Sequence, residues 1–143
     1  MTIVLLDANV LFDVWLKREH SLAAVRTLDL VVQGNVHGYV SGHTVSIFYY
    51  VLKKSIGDQE ARQTITNLLK KVKVAATTEG TVTAALLSPI SDFEDGLVVA
   101  NAIEIGAEAI VTRNIKDFKK SPVRPVPSML PEMFNKRMAG RTG

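Results

Sequence analysis

The sequence predicts a three-layer α/β/α domain with a mainly parallel central sheet, and three observations carry that expectation. Residues 3–6 (Ile-Val-Leu-Leu) and 109–111 (Ala-Ile-Val) are short, wholly apolar runs of the kind that form strands buried on both faces. The segments between them place apolar residues at helical spacing. Apolar strands alternating with helices imply crossover connections, which are right-handed almost without exception.

The elements follow in order. Asp7 ends the first strand abruptly, and Asn9 opens a helix carrying Val10, Leu11, Val14 and Trp15. A second helix is expected over 20–32, with Leu22, Val25, Leu28 and Val32 on one side. Gly34, Asn35 and Gly38 end it, and Tyr39-Val40 reads as a short strand. Ser41 is placed to cap a third helix over 42–55, rich in aromatics at Phe48, Tyr49 and Tyr50. Gly57 stops it, and Asp58 caps a fourth helix reaching Lys71 with Ile65, Leu68 and Leu69 inward. Residues 73–76 are a weak strand candidate, followed by a short helix over 79–87 and the turn Ser88-Pro89. A helix over 92–106 carries Leu97, Val98, Ala100, Ala102 and Ile103 and stops at Gly106. After the strand at 109–111 come Thr112-Arg113-Asn114, then a stretch punctuated by Pro122, Pro125, Pro127 and Pro131 with one more short strand around Val126. A single domain is expected over 1–135, with 136–143 as a basic, flexible C-terminal tail.

Composition narrows the chemistry. A chain of 143 residues suits one domain. The absence of cysteine excludes thiol catalysis, iron–sulfur clusters and cysteine-bound zinc. A net charge of +3 permits a polyanionic partner without demanding one. The apolar start carries no basic leader and is interrupted by Asp7 and Asp13. No run approaches the roughly 20 apolar residues needed to span a bilayer. A cytoplasmic protein without a membrane partner is the expectation.

Open parallel sheets place their sites beyond the carboxyl ends of the strands. Asp7 follows the first strand, and Asn114 and Asp117 follow the strand at 109–111. Asp92, Glu94 and Asp95 open the helix leading into that same strand. Asp92 and Asp95, three apart, project the same way from a helix. Each acid alone has a plain explanation: Asp92 as a helix cap, Asp117 as the cap of a short turn, Asp7 as the acceptor of a hydrogen bond from Asn9 or Thr112. Several carboxylates converging on one sheet edge repel one another unless something positive sits among them. With no Cys and only His20, His37 and His43, a hard divalent cation, Mg²⁺ or Mn²⁺, is the natural candidate.

These residues resemble the PIN domain, a metal-dependent ribonuclease fold that includes the VapC toxins of bacterial toxin–antitoxin pairs. The likeness runs through residues 4–11 (Val-Leu-Leu-Asp-Ala-Asn-Val-Leu), 40–44 (Val-Ser-Gly-His-Thr) and 47–53 (Ile-Phe-Tyr-Tyr-Val-Leu-Lys). It continues through Asp-Phe-Glu-Asp at 92–95, Val-Ala-Asn-Ala at 99–102 and Ile-Val-Thr-Arg-Asn-Ile-Lys-Asp-Phe at 110–118. The resemblance implies metal binding by Asp7, Asp95 and Asp117, with Asp92 and Asn114 supporting them. Asn9, Ser41, Thr44 and Thr112 would orient the ligands or a water, and Arg113 and Lys116 would contact RNA. It implies an antitoxin protein as partner and homodimerisation through the second to fourth helices. Two positions depart from the family pattern. Asn114 stands where an Asp is usual, and Ile47 stands where many members carry a Glu in the third helix. The second departure marks a subgroup with an Ile-Phe-Tyr-Tyr third helix and implies fewer charged ligands.

Other features divide between function and plain structure. Lys53-Lys54, Lys70-Lys71-Lys73 and Lys116-Lys119-Lys120 could meet phosphates or form solvated faces. His43 could approach a substrate from its helix start or simply pack. A phosphotransferase with an Asp nucleophile would need a second acid two residues after Asp7, where Asn9 stands. The rival to a nuclease is a degenerate PIN domain that binds RNA or a partner protein without cutting.

Overall fold

The computed structural model describes residues 2–115 and 126–142. In chain order these form β1 (Thr2–Leu6), α1 (Ala8–Trp15), α2 (Ser21–Val32), β2 (Val36–Ser41), α3 (Gly42–Ile56) and α4 (Asp58–Leu68). Then follow β3 (Lys73–Ala75), α5 (Glu79–Leu87), α6 (Phe93–Glu104), β4 (Ala109–Val111), β5 (Ser128–Met129) and α7 (Pro131–Thr142). The strands pair in the order β3-β2-β1-β4-β5, and every pair is parallel.

β1 is the central strand, and its alternation builds the three layers. Val4 and Leu6 join a cluster with Val10 and Leu11 of α1, Phe48 and Leu52 of α3, and Phe134 and Met138 of α7. Leu5 points the other way, into a smaller cluster with Val98, Val99 and Ala102 of α6. Helices therefore cover both faces, which is why β1 and β4 read as continuous apolar runs. Trp15 packs edge-on to Phe48 with ring centroids 5.3 Å apart. The aromatic run of α3 divides, with Phe48 fully buried, Tyr49 half-buried and Tyr50 exposed.

Several boundaries and faces differ from the expectation. α2 buries Ala24, Thr27 and Val31, whereas Leu22 and Val32 are exposed. Its packing stripe is the small-residue one, because β2 approaches at Gly38, where an added Cβ would stand 2.8 Å from Val31 Cγ2. α4 stops at Leu68, and Leu69 faces solvent. Gly57, at φ +88°, is the residue that both ends α3 and precedes α4, so Asp58 lies inside the helix rather than capping it. There Asp58 accepts hydrogen bonds from the Tyr49 hydroxyl and, at 2.9 Å, from Arg62 Nε. The last strand lies at Ser128–Met129, beyond Val126.

The largest difference is at the C-terminus. Residues 136–142, expected as a flexible tail, continue α7, which starts at Pro131. Proline is pre-organised for a first helical position. Phe134 and Met138, one turn apart, are both buried. Asn135 locks the helix to α2, accepting from the buried Thr27 hydroxyl at 2.7 Å and donating to the Ala23 carbonyl at 2.9 Å. Arg141 reaches Thr2 Oγ1 and Glu108 Oε2, both at 3.1 Å. No described helix is long and apolar enough to cross a membrane.

Candidate active site

The parallel sheet brings the carboxyl ends of β1 and β4 together, and Asp7 and Thr112 leave those ends side by side. The Asp7 amide donates to the Val111 carbonyl at 3.0 Å, which extends the pairing one residue past the strands. Asp7 caps α1, its Oδ1 accepting from the Ala8 amide at 2.8 Å. Its Oδ2 accepts the Thr112 hydroxyl at 2.8 Å and the Asn9 amide group at 3.3 Å. Asn9 also donates to Thr112 Oγ1 at 3.3 Å and accepts the Arg113 amide at 3.1 Å. Both plain explanations for Asp7, a bond from Asn9 and one from Thr112, thus operate together.

Those bonds do not offset the charge. Burial pushes the Asp7 carboxyl above its ordinary range, more strongly than Thr112, Ala8 and the nearby His43 pull it down, and Asp92 pushes it further up. No lysine or arginine donates to it among the described contacts. A desolvated carboxylate with only neutral donors is the chemistry a hard cation would complete.

Asp92 caps α6, its Oδ1 accepting the Asp95 amide at 3.0 Å. The capping role is thus real, and it aims the first turn of α6, with Glu94 and Asp95, toward the same edge. Asn114 Nδ2 stands 3.4 Å from Asp95 Oδ2 and its amide donates to Thr112 Oγ1 at 3.0 Å. Thr112 therefore links the Asp7 side of the site to the Asn114–Asp95 side. Among the described residues, no three His, Asp or Glu side chains are grouped closely enough to hold a metal. Asp117 and Lys116, both expected at this edge, lie outside the described residues. Hard divalent cations take oxygen donors, and Asp7 and Asp95 are described carboxylates at this edge.

Ser41 and Thr44 occupy the carboxyl end of β2 and the start of α3, and both are buried. Ser41 stands at the N-cap position but makes no capping bond, and its Oγ has no partner among the described residues. His43 is half-buried, and its Nδ1 likewise lacks a partner among the described residues. Burial lowers the His43 pKa, against the opposing pull of Glu94 and Asp7. Burial thus favours the neutral imidazole, and the neighbouring acids favour the charged one.

Arg113, expected to contact RNA, is held by bonds within the chain. Its Nε donates to Asp13 at 3.0 Å, its Nη1 to both Glu132 oxygens at 2.7 Å, and its Nη2 to the His20 carbonyl at 3.2 Å. All three guanidinium nitrogens are thereby engaged within the chain. Burial works to raise the Glu132 pKa, but the Arg113 bond and charge outweigh it, and the net shift is downward. Sequence reading missed Asp13 and Glu132 as members of this network. The signal available was Asp13 itself, an acid within a helix otherwise apolar at Val10, Leu11 and Val14.

The comparisons with known proteins agree with this geometry. A family profile described as PIN domain matches residues 3–116. The fold matches VapBC2 from Rickettsia felis, crystallised with a promoter DNA fragment, at a TM-score of 0.68 and 18% identity, covering 90% of this chain and 99% of that one. VapBC-1 from nontypeable Haemophilus influenzae gives a TM-score of 0.68 at 18% identity, with 92% and 99% covered. VapC20 from Mycobacterium tuberculosis, a sarcin–ricin-loop-cleaving toxin, gives 0.60 at 16% identity, with 75% and 86% covered. No curated protein matches the chain by sequence. The profile match, spanning most of the sequence and both the Asp7 and Asn114 segments, shows that this chain belongs to the PIN domain family.

Proposed function

We propose that this chain is a metal-dependent endoribonuclease and the toxin half of a toxin–antitoxin pair, cutting single-stranded or structured RNA. The observation that carries the reading is the buried Asp7 carboxylate at the end of β1, held by Thr112 and Asn9 with no cationic side chain bonded to it among the described residues. Asp7 and Asp95 would hold Mg²⁺ or Mn²⁺, with Asp117 completing the set and Asp92 and Asn114 supporting it. The ion, when bound, would activate a water and offset charge building on the phosphate. Thr112 and Asn9 fix the Asp7 oxygens, and Asn114 holds Asp95, so the ligands need little reorganisation as charge develops.

Structures similar in fold are toxin–antitoxin complexes, which supports a small antitoxin protein as partner. Leu22 and Val32 of α2, Tyr50 and Ile56 of α3, and Leu69 just past α4 are exposed and supply apolar area for a homodimer. A second reading has its own observation: the Asn114 amide faces Asp95 where the family usually places an acid, so Asp95 is already met by a neutral donor. That arrangement suits a domain that binds RNA or a partner without cutting.

Cleavage of labelled RNA in Mn²⁺, Mg²⁺ or EDTA, with Asp7→Asn and Asp95→Asn alongside, tests the proposal. Metal-dependent cutting lost in both variants upholds it. A folded chain that binds RNA and never cuts it upholds the second reading, and cutting that survives both substitutions removes the site.

A further inference from the structure

A second basic feature lies at the opposite end of the sheet. The amino ends of β2 and β3, with the chain leaving α2 and α4, enclose a cavity of about 210 Å³ lined in part by Gly34, His37, Lys70, Lys71 and Lys73. Among the described residues its lining contains no carboxylate. All three lysines are exposed, and none has an acidic partner among the described residues. Three cations around one concavity repel one another, so the arrangement favours an anion in the space between them. Lysine is suited to this as a compact charge on a flexible stem that meets phosphate without fixed geometry.

The position of the cavity selects among phosphates. Lys73 pairs with Tyr39, whose own partner Leu5 lies two residues before Asp7, so Lys73 stands two residues back and two strands across from Asp7. At about 3.3 Å per strand residue and about 4.8 Å between strands, that separation is on the order of 12 Å along the sheet. Stacked nucleic acid carries one phosphate per roughly 3.4 Å along a strand, so about four phosphates span that distance. β3 is the edge strand of the sheet, and Lys73 and Val74 on it are exposed. An RNA whose scissile phosphate lies at Asp7 can thus continue along this edge to the lysines.

We infer that Lys70, Lys71 and Lys73 form an accessory site for the RNA backbone, engaging phosphates about four nucleotides from the bond at Asp7. This rests on the nuclease reading for its substrate, while its test does not. The plain alternative is that Lys70 and Lys71 merely offset the carbonyls at the end of α4.

Binding of a fluorescent single-stranded RNA of about 12 nucleotides, measured by anisotropy in EDTA over a salt series, decides the matter. Replacing all three lysines with alanine should lower the slope of log K against log salt by about 2, since each single-strand phosphate contact contributes roughly 0.7. An Arg triple variant should keep the slope, and Lys53→Ala with Lys54→Ala should change it by less than about 0.7. An unchanged slope overturns the inference, including where the melting temperature falls, which would assign the lysines to the helix end. Inorganic phosphate bound by the lysines with an unchanged RNA slope also overturns it, as a small-anion site. A chain that cleaves RNA with an unaltered slope loses the accessory site alone. One that shows the slope change without cleavage loses the nuclease reading alone.

Discussion

Thr112 donates its hydroxyl hydrogen to Asp7 Oδ2 at 2.8 Å, joining residues 105 positions apart at the point where β1 and β4 end. Thr112 Oγ1 in turn accepts from the Asn9 amide group and from the Asn114 backbone. One hydroxyl therefore ties the two strand-end segments of the candidate site, 7–9 and 112–114, to one another.

Thr112→Val keeps the shape and removes that tie. The buried Asp7 carboxylate loses its strongest described donor, with an expected stability loss of about 1–3 kcal/mol. Urea unfolding should register the loss. The weakened hold on Asp7 should also reduce cleavage without altering the fold seen by circular dichroism.

The raised pKa of Asp7 fixes the sign of a pH effect. Because burial favours the protonated form in the folded state, the native chain holds its proton to higher pH than the unfolded chain does. Any stability from this group is then present below the unfolded value of about 3.8 and is lost as pH rises through the folded one. In EDTA, Asp7→Asn should raise the melting temperature at pH 7 by roughly 2–4 °C, and the gain should vanish toward pH 3.5. In Mn²⁺ the order should reverse, since only the wild type gains a bound ion. A gain that instead grows on acidification would refute the assignment.

Asn114→Asp restores the charge usual in the family. Without metal it places a carboxylate beside Asp95, and the chain should melt lower. With Mn²⁺ the metal-induced rise in melting temperature should exceed that of the wild type. Calorimetric titration should show the corresponding tighter binding.

Arg113→Met leaves Asp13, which is 5% exposed, as a buried charge without its partner. The expected cost is about 3–5 kcal/mol in chemical denaturation. Arg113→Lys should recover only part, because an ammonium cannot serve Asp13, Glu132 and the His20 carbonyl at once.

Phe134→Ala tests the C-terminal helix. Phe134 is fully buried against the larger cluster, so about 3–5 kcal/mol should be lost. A cost below about 1 kcal/mol would mean that α7 is dispensable.

The parts of the fold legible in the sequence were those where one physical effect dominates. β1 and β4 are buried on both faces and so are uniformly apolar, and Asp92 is a helix cap whose residue type and position agree. α2 misled because its inward face meets β2 at Gly38–Val31 and α7 at Thr27–Asn135, while the larger Leu22 faces water. α7 was missed because prolines precede it and its burial rests on two residues, Phe134 and Met138, in an otherwise polar stretch. The Asp7–Asn9–Thr112 triangle was legible from strand-end placement. The Asp13–Arg113–Glu132 network was not, because its members come from three distant segments and only tertiary packing brings them together.

The position of β1 at the centre of the sheet has a consequence for synthesis. It is the first strand to emerge, yet its partners arrive from both directions, β2 soon afterwards and β4 roughly a hundred residues later. At translation speeds of about 5–20 residues per second, one edge of β1 stays open for roughly 5–20 s on the ribosome. An apolar strand with an unpaired edge is a template for pairing between chains. Chains interrupted before residue 109 should therefore be aggregation-prone. They should be inert too, because the hydroxyl that holds Asp7 has not yet been made.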